Sequence, residues 1–148
     1  MSLESLYQEI ILDHYRSPRN FGKLDQPASA VHHENPSCGD LIDVQIAVDE
    51  QQRIVDIKFN GRGCAISQAS ASMMTEAVKG KSAGDARNLI AAFRNMFTGE
   101  APEAAAGVEL GDLEALEGVK KFPTRVKCAT LAWGALEKCL ELSNRQKG

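Results

Sequence analysis

The chain has 148 residues, 43% hydrophobic and 25% charged, with a formal net charge of −3. That length and mix suit one globular domain over 1–148 with a real core, and the slight acidity gives no case for a general nucleic-acid binder. No apolar run approaches the ~20 residues of a membrane span, and Met1-Ser2-Leu3-Glu4-Ser5 lacks the basic start and apolar run of a signal peptide, so we expect a cytoplasmic protein.

In that compartment the four cysteines point to metal ligands or reactive thiols rather than disulfides. Leu3 to Arg16 reads as an amphipathic helix, with Leu3, Leu6, Tyr7, Ile10, Ile11 and His14 at three- and four-residue spacings. Ser2 is its N-cap candidate and Pro18 stops it. Such a helix either packs on the core or acts as a detachable arm that docks a partner. His14 reads as a packed or surface histidine rather than a ligand. Ser17 to Ala28 is a polar connector holding Pro18, Gly22 and Pro27. Ala30 to Glu34 reads as a short strand. His32 and His33 are adjacent on it, so they point to opposite faces and at most one can look toward a site. Neither has the spacing partner of a metal-binding histidine.

Asn35-Pro36-Ser37-Cys38-Gly39-Asp40 follows. Pro36 removes a backbone donor, and Gly39 admits a conformation that a Cβ disfavours. Cys38 and Asp40 can then turn toward one point from a tight bend. Two anions so placed repel unless a cation joins them, which suits a divalent metal.

Leu41 to Asp49 alternates, with Ile42, Val44, Ile46 and Val48 on one face. Glu50-Gln51-Gln52 turns the chain. Arg53 to Asn60 alternates again, with Val55, Ile57 and Phe59 on one face. Two such runs with a short link predict an antiparallel hairpin with one buried face. Gly61-Arg62-Gly63-Cys64 marks a sharp turn or a close backbone approach. Ala65 to Lys79 then reads as a helix, small-residue-rich at first. Cys64 is therefore at a helix start, where the positive dipole end favours a thiolate. Its bland alternative is a small core cysteine.

Gly80 separates the next helix, Ser82 to about Thr98, whose stripe is Leu89, Ile90, Phe93, Met96 and Phe97. Met73, Met74 and Met96 read as core filler rather than soft-metal ligands. Gly99 to Gly118 is acidic and alanine-rich, an excursion from the fold with room for a short helix over Leu110 to Leu116. Lys120 to Lys127 is basic. A last helix runs from Thr124 or Arg125 to about Leu142, with Thr124 as N-cap candidate and Cys128 in its first turn or two. Cys139 lies eleven residues later on that helix. At about 1.5 Å per residue it is roughly 16 Å from Cys128 along the axis, too far for a shared metal shell. It reads as packing.

Neither the 26 residues from Cys38 to Cys64 nor the 64 from Cys64 to Cys128 is a zinc-finger spacing. Local context is the better guide, since each of these cysteines sits where the chain enters a regular element. If they converge with Asp40, the shell is three sulfurs and one carboxylate, which suits tetrahedral zinc. The formal charge of such a site is about −2. Arg62, Arg125 and Lys127 stand close in sequence to offset it.

Pro36-Ser37-Cys38-Gly39-Asp40, Gly61-Arg62-Gly63-Cys64-Ala65-Ile66-Ser67 and Val126-Lys127-Cys128-Ala129 resemble the U-type iron–sulfur assembly family, which includes the IscU, NifU N-domain and SufU proteins. The resemblance spans nearly the whole chain. It implies an α+β fold, a small three-stranded antiparallel sheet with about five helices packed on it. It implies that Cys38, Cys64 and Cys128 are the functional thiols and Asp40 the acidic ligand. Scaffold-type members carry a histidine immediately before the last cysteine, where this chain has Lys127. The excursion at 99–118 is also similar to an insertion of SufU-like members.

The resemblance therefore implies a zinc-dependent acceptor of persulfide sulfur that works with a SufS-like cysteine desulfurase and passes sulfur to a downstream acceptor. By the same analogy, docking brings a partner histidine that replaces Cys38 on zinc. The freed Cys38 then becomes the persulfide carrier. Arg125 is the candidate partner contact on its own chemistry, because a guanidinium can grip a carboxylate or backbone carbonyls; its bland alternative is a solvated basic residue. The alternative is a scaffold that binds iron or a nascent iron–sulfur cluster. A structural zinc module that only holds a complex together is the third reading.

Overall fold

The computed structural model describes residues 3–36, 39–99 and 107–147. Strands β1 (Ser29–Asn35), β2 (Asp40–Val48) and β3 (Ile54–Arg62) form one antiparallel sheet in the order β1-β2-β3. Helices α1 (Leu3–Arg16), α2 (Ala65–Val78), α3 (Ala83–Thr98) and α4 (Pro123–Lys147), with a 3₁₀ helix over Gly111–Lys121, complete the expected α+β architecture.

Alternation along β2 buries Ile42, Val44 and Ile46 on one side of the sheet. β3 departs from the expected face at its start. Ala47 pairs with Asp56 but Val48 pairs with Ile54, so Val55 is an extra residue in the ladder. Such a bulge inverts the inside–outside alternation across it. Val55 is consequently 52% exposed, and Ile54 takes the core position beside Ile57 and Phe59. The β2–β3 turn is built on Asp49, whose Oδ1 accepts N–H groups from Gln51 and Arg53, each at 2.9 Å. Gln52 takes a φ of +62° there.

α2 and α4 cover the buried sheet face, and Trp133 of α4 lies at the centre of the core, stacked on Phe93 of α3 at 4.2 Å. α1 packs on α2 and on the 3₁₀ helix through Tyr7, Ile10, Ile11 and His14. Leu6, expected on that face, is instead 45% exposed. His14 is buried and bonded to Ser72 Oγ at 2.8 Å, so α1 is seated by packing and a polar latch. Ser2, its expected N-cap, lies outside the described residues, as do 100–106 of the excursion.

The returning half of that excursion is part of the fold. Leu113, Leu116 and Val119 of the 3₁₀ helix enter the core. α4 begins one residue before the expected cap, at Pro123, because proline at the first helical position sacrifices only an N–H that would be unpaired anyway. It also continues past Leu142 to Lys147. Met73 and Met74 are buried core residues, as expected. Among the described residues no helix is long and apolar enough to cross a membrane.

Candidate metal centre

Three of the four residues expected at the site come together at one end of the sheet. One donor atom each from Asp40, Cys64 and Cys128 lies within 4.8 Å of the other two. Asp40 opens β2, Cys64 stands between β3 and α2, and Cys128 lies in the second turn of α4. Cys38, the fourth, lies outside the described residues. The chain on its far side, Gly39, has φ +72°, and its N–H returns to Asn35 O at 2.9 Å. A φ of this sign is one that glycine permits.

Asp40 is fully buried, and its carboxylate has two tasks. Oδ1 accepts the Cys64 N–H at 2.8 Å, while Oδ2 stands 3.8 Å from Cys64 Sγ. The first contact fixes the backbone of one candidate ligand to the side chain of another. Gly63 makes it possible. Its φ is +153°, and a Cβ built there would overlap the Asp40 carboxylate. The close approach foreseen around Gly61-Arg62-Gly63 is thus an approach to the Asp40 carboxylate, a candidate ligand. Gly61, at φ +147°, plays a parallel part against the Leu41 carbonyl.

Cys64 is the N-cap of α2 with φ −71° and ψ 164°, and its side chain makes no capping bond. The positive end of α2 therefore lies beside its sulfur, as expected from the sequence. Cys128 is 2% exposed, and its Sγ reaches Thr124 O at 3.6 Å.

The donor set fits a metal of the zinc or iron class. Two thiols are soft ligands and a carboxylate is a hard one, a mixture that borderline zinc accepts. Around tetrahedral zinc with Zn–S bonds of about 2.3 Å, neighbouring donors are roughly 3.5–3.8 Å apart. The 3.8 Å between Asp40 Oδ2 and Cys64 Sγ is at the edge of that range, and the other separations are no more than 4.8 Å.

Residues set aside in the sequence also fall into place. His32 is on the outer sheet face between Asp43 (2.7 Å) and Glu34 (2.8 Å), and these two hydrogen bonds raise its pKa. His33 lies on the other face, packed toward Gly134. Neither joins the donor cluster. Cys139 is fully buried with its Sγ on Val44 O at 3.3 Å, and burial pushes its thiol to about 11. Arg62, Arg125 and Lys127 are exposed. Arg125 borders a groove with Tyr7, Ile11, Ile66, Val119 and Phe122, next to the helix ends that carry Cys64 and Cys128. No sequence signal marks the Asp40–Cys64 backbone bond, because it depends on two strand ends being paired.

The family model described as the NifU-like N terminal domain matches residues 6–140. A Bacillus subtilis protein named zinc-dependent sulfurtransferase SufU is 48% identical over 137 residues, covering 93% of this chain and 90% of the relative. A Streptococcus pyogenes protein named iron-sulfur cluster assembly scaffold protein IscU is 47% identical, covering 95% and 86%. Among solved structures, a SufU described as a putative SUF-system scaffold from Fervidobacterium islandicum superposes with a TM-score of 0.82 at 34% identity. It covers 94% of this chain and 99% of that one.

Proposed function

Since the chain belongs to the NifU-like N-terminal domain family, we propose that it serves iron–sulfur cluster assembly in the cytoplasm as a zinc-dependent acceptor of persulfide sulfur. The observation that carries this reading is the meeting of Asp40, Cys64 and Cys128 donor atoms within 4.8 Å. The sulfurtransferase name of a 48% identical relative supports the choice of zinc and of sulfur transfer.

Asp40, Cys64 and Cys128 would hold the metal, with Cys38 as the fourth ligand and the sulfur acceptor. Bound zinc would supply a Lewis acid that keeps the thiolates anionic at neutral pH. Asp40 orients the Cys64 backbone through Oδ1, and the α2 start places positive potential beside the Cys64 sulfur. Cys38 as thiolate attacks the outer sulfur of a persulfide on a cysteine desulfurase. A bond forms between Cys38 Sγ and that sulfur, the donor's S–S bond breaks, and the donor cysteine leaves as a thiolate. No net oxidation or reduction occurs. A second thiol exchange hands the sulfur to a downstream acceptor. Arg125, exposed beside the apolar groove, grips the desulfurase.

Incubation with a cysteine desulfurase and cysteine carrying labelled sulfur tests this. The label is expected on Cys38, with about one zinc per chain, and normal transfer by Cys38→Ala would defeat the reading. A scaffold role is the second reading, favoured by the scaffold name of a 47% identical relative. Lys127 stands where scaffold-type members carry histidine, which weighs against it. Anaerobic reconstitution decides: a stable chromophore passed intact to an apo-acceptor would favour the scaffold.

A further inference from the structure

α2 carries three fully buried serines, Ser67, Ser70 and Ser72. Buried hydroxyls need partners, and these three find them in different directions. Ser67 Oγ donates to Cys64 O within its own helix at 3.1 Å. Ser72 Oγ meets His14 Nδ1 and the Arg19 N–H, each at 2.8 Å, and so faces α1. Ser70 alone of the three reaches α4. Its hydroxyl donates to the Ala129 carbonyl at 2.5 Å and accepts the Trp133 Nε1–H at 3.0 Å.

Ala129 is the residue after Cys128. Ser70 is six residues after Cys64 on α2, about 9 Å along the axis. The two cysteines belong to different helices, so the distance between their sulfurs depends on how α2 sits against α4. The surrounding core residues, among them Ala69, Met73, Ala132 and Leu136, attract without direction and permit small axial slips. A paired donor and acceptor do not. Phe93 stacks on Trp133 and holds the indole from the α3 side.

We propose that Ser70 is a positioning residue for the metal centre: through Ala129 and Trp133 it sets the register of α2 on α4, and with it the spacing of the Cys64 and Cys128 sulfurs. The inference rests on the reading of Asp40, Cys64 and Cys128 as a metal centre, not on the direction of sulfur transfer. Removing the hydroxyl frees the register, leaves the indole N–H buried without an acceptor, and opens the sulfur pair. Outer residues that orient metal ligands change affinity by about 10–100-fold, and a backbone-mediated effect belongs at the low end, roughly tenfold.

The test is cobalt(II) titration of the metal-free full chain under anaerobic conditions, read by thiolate-to-cobalt charge transfer and by d–d bands. Wild type, Ser70→Ala and Ser72→Ala are compared, with urea unfolding of each. Both variants lose a buried hydroxyl from the same helix, so both lose stability. Only Ser70→Ala is expected to weaken cobalt binding roughly tenfold and to shift the d–d bands. Equal cobalt behaviour in the two variants, altered or not, overturns the role. If Ser70→Ala does not fold, Trp133→Phe carries the test, since it keeps the ring on Phe93 but drops the N–H that orients the hydroxyl. Band shifts there support the role, and wild-type bands overturn it. A wild-type chain showing no thiolate-to-cobalt band would remove the metal centre itself. A normal wild-type band with unmoved variants removes only Ser70.

Discussion

Gly63→Ala is the sharpest single perturbation of the site. The new methyl would fall on the Asp40 carboxylate, at a φ of +153° that L side chains rarely adopt. Backbone strain of this type costs about 1–3 kcal/mol. The carboxylate can escape only by turning away, which breaks the 2.8 Å bond from Cys64 N–H to Oδ1. Losing a buried hydrogen bond of that kind costs about 1–3 kcal/mol more. The expected destabilisation is therefore roughly 2–6 kcal/mol, a large part of the 5–15 kcal/mol typical of a domain. The same movement takes Oδ2 away from Cys64 Sγ, so metal content should fall with stability.

Urea unfolding with and without a chelator, alongside zinc analysis, reads both effects. Gly84→Ala is the matched control, since its added Cβ meets only Ser82 Oγ at 4.0 Å in the first turn of α3. It should be neutral or stabilise by up to about 1 kcal/mol. A Gly63→Ala protein with the wild-type midpoint and full metal content would refute the reasoning.

His14 is buried and near Arg19, and both hold its pKa below the ordinary value of 6.5. The folded state thus resists protonation, so stability is full above pH of about 6.5 and is lost as pH falls below it. Urea midpoints from pH 7.5 to 5 should show that loss in wild type and a flatter profile in His14→Gln; parallel profiles would contradict it. Cys139, buried with a pKa of about 11, should resist iodoacetamide at pH 8 until the chain unfolds, as peptide mapping would show. Gln52→Gly should raise stability by about 0.5–1 kcal/mol, because glycine takes the φ of +62° without strain; an unchanged urea midpoint would count against that. Arg125→Ala should leave zinc content intact while raising the desulfurase concentration needed for half-maximal turnover, and unchanged kinetics would remove Arg125 from the interface.

Apolar periodicity located α1, β2, most of β3, α3 and α4, because each buries one face and the apolar positions repeat at the matching interval. α1 over Leu3–Arg16 and the β2–β3 hairpin are the clearest cases. The glycines around Arg62 announced a close approach, and the turn residues beside Cys38, Cys64 and Cys128 announced element ends. Those are local signals, carried by neighbours in the chain.

What the sequence could not carry was anything set by pairing between distant segments. The bulge that turns Val55 outward follows from how β3 aligns with Val48, and alternation along β3 by itself points the other way. The burial of Leu113, Leu116 and Val119 depends on α1, α2 and α4 leaving a seat for a segment whose composition reads as an excursion. The Asp40 carboxylate bonds the Cys64 N–H because Leu41 pairs with Arg62, which brings two strand ends together across 24 residues of chain. Ser70 looks like any small helix residue until α4 lies against it. The sequence by itself determined which residue types were available for a thiolate and carboxylate centre, since ligand chemistry belongs to the side chain. Only the tertiary structure decided that three of them meet, since distance between remote residues is a property of packing.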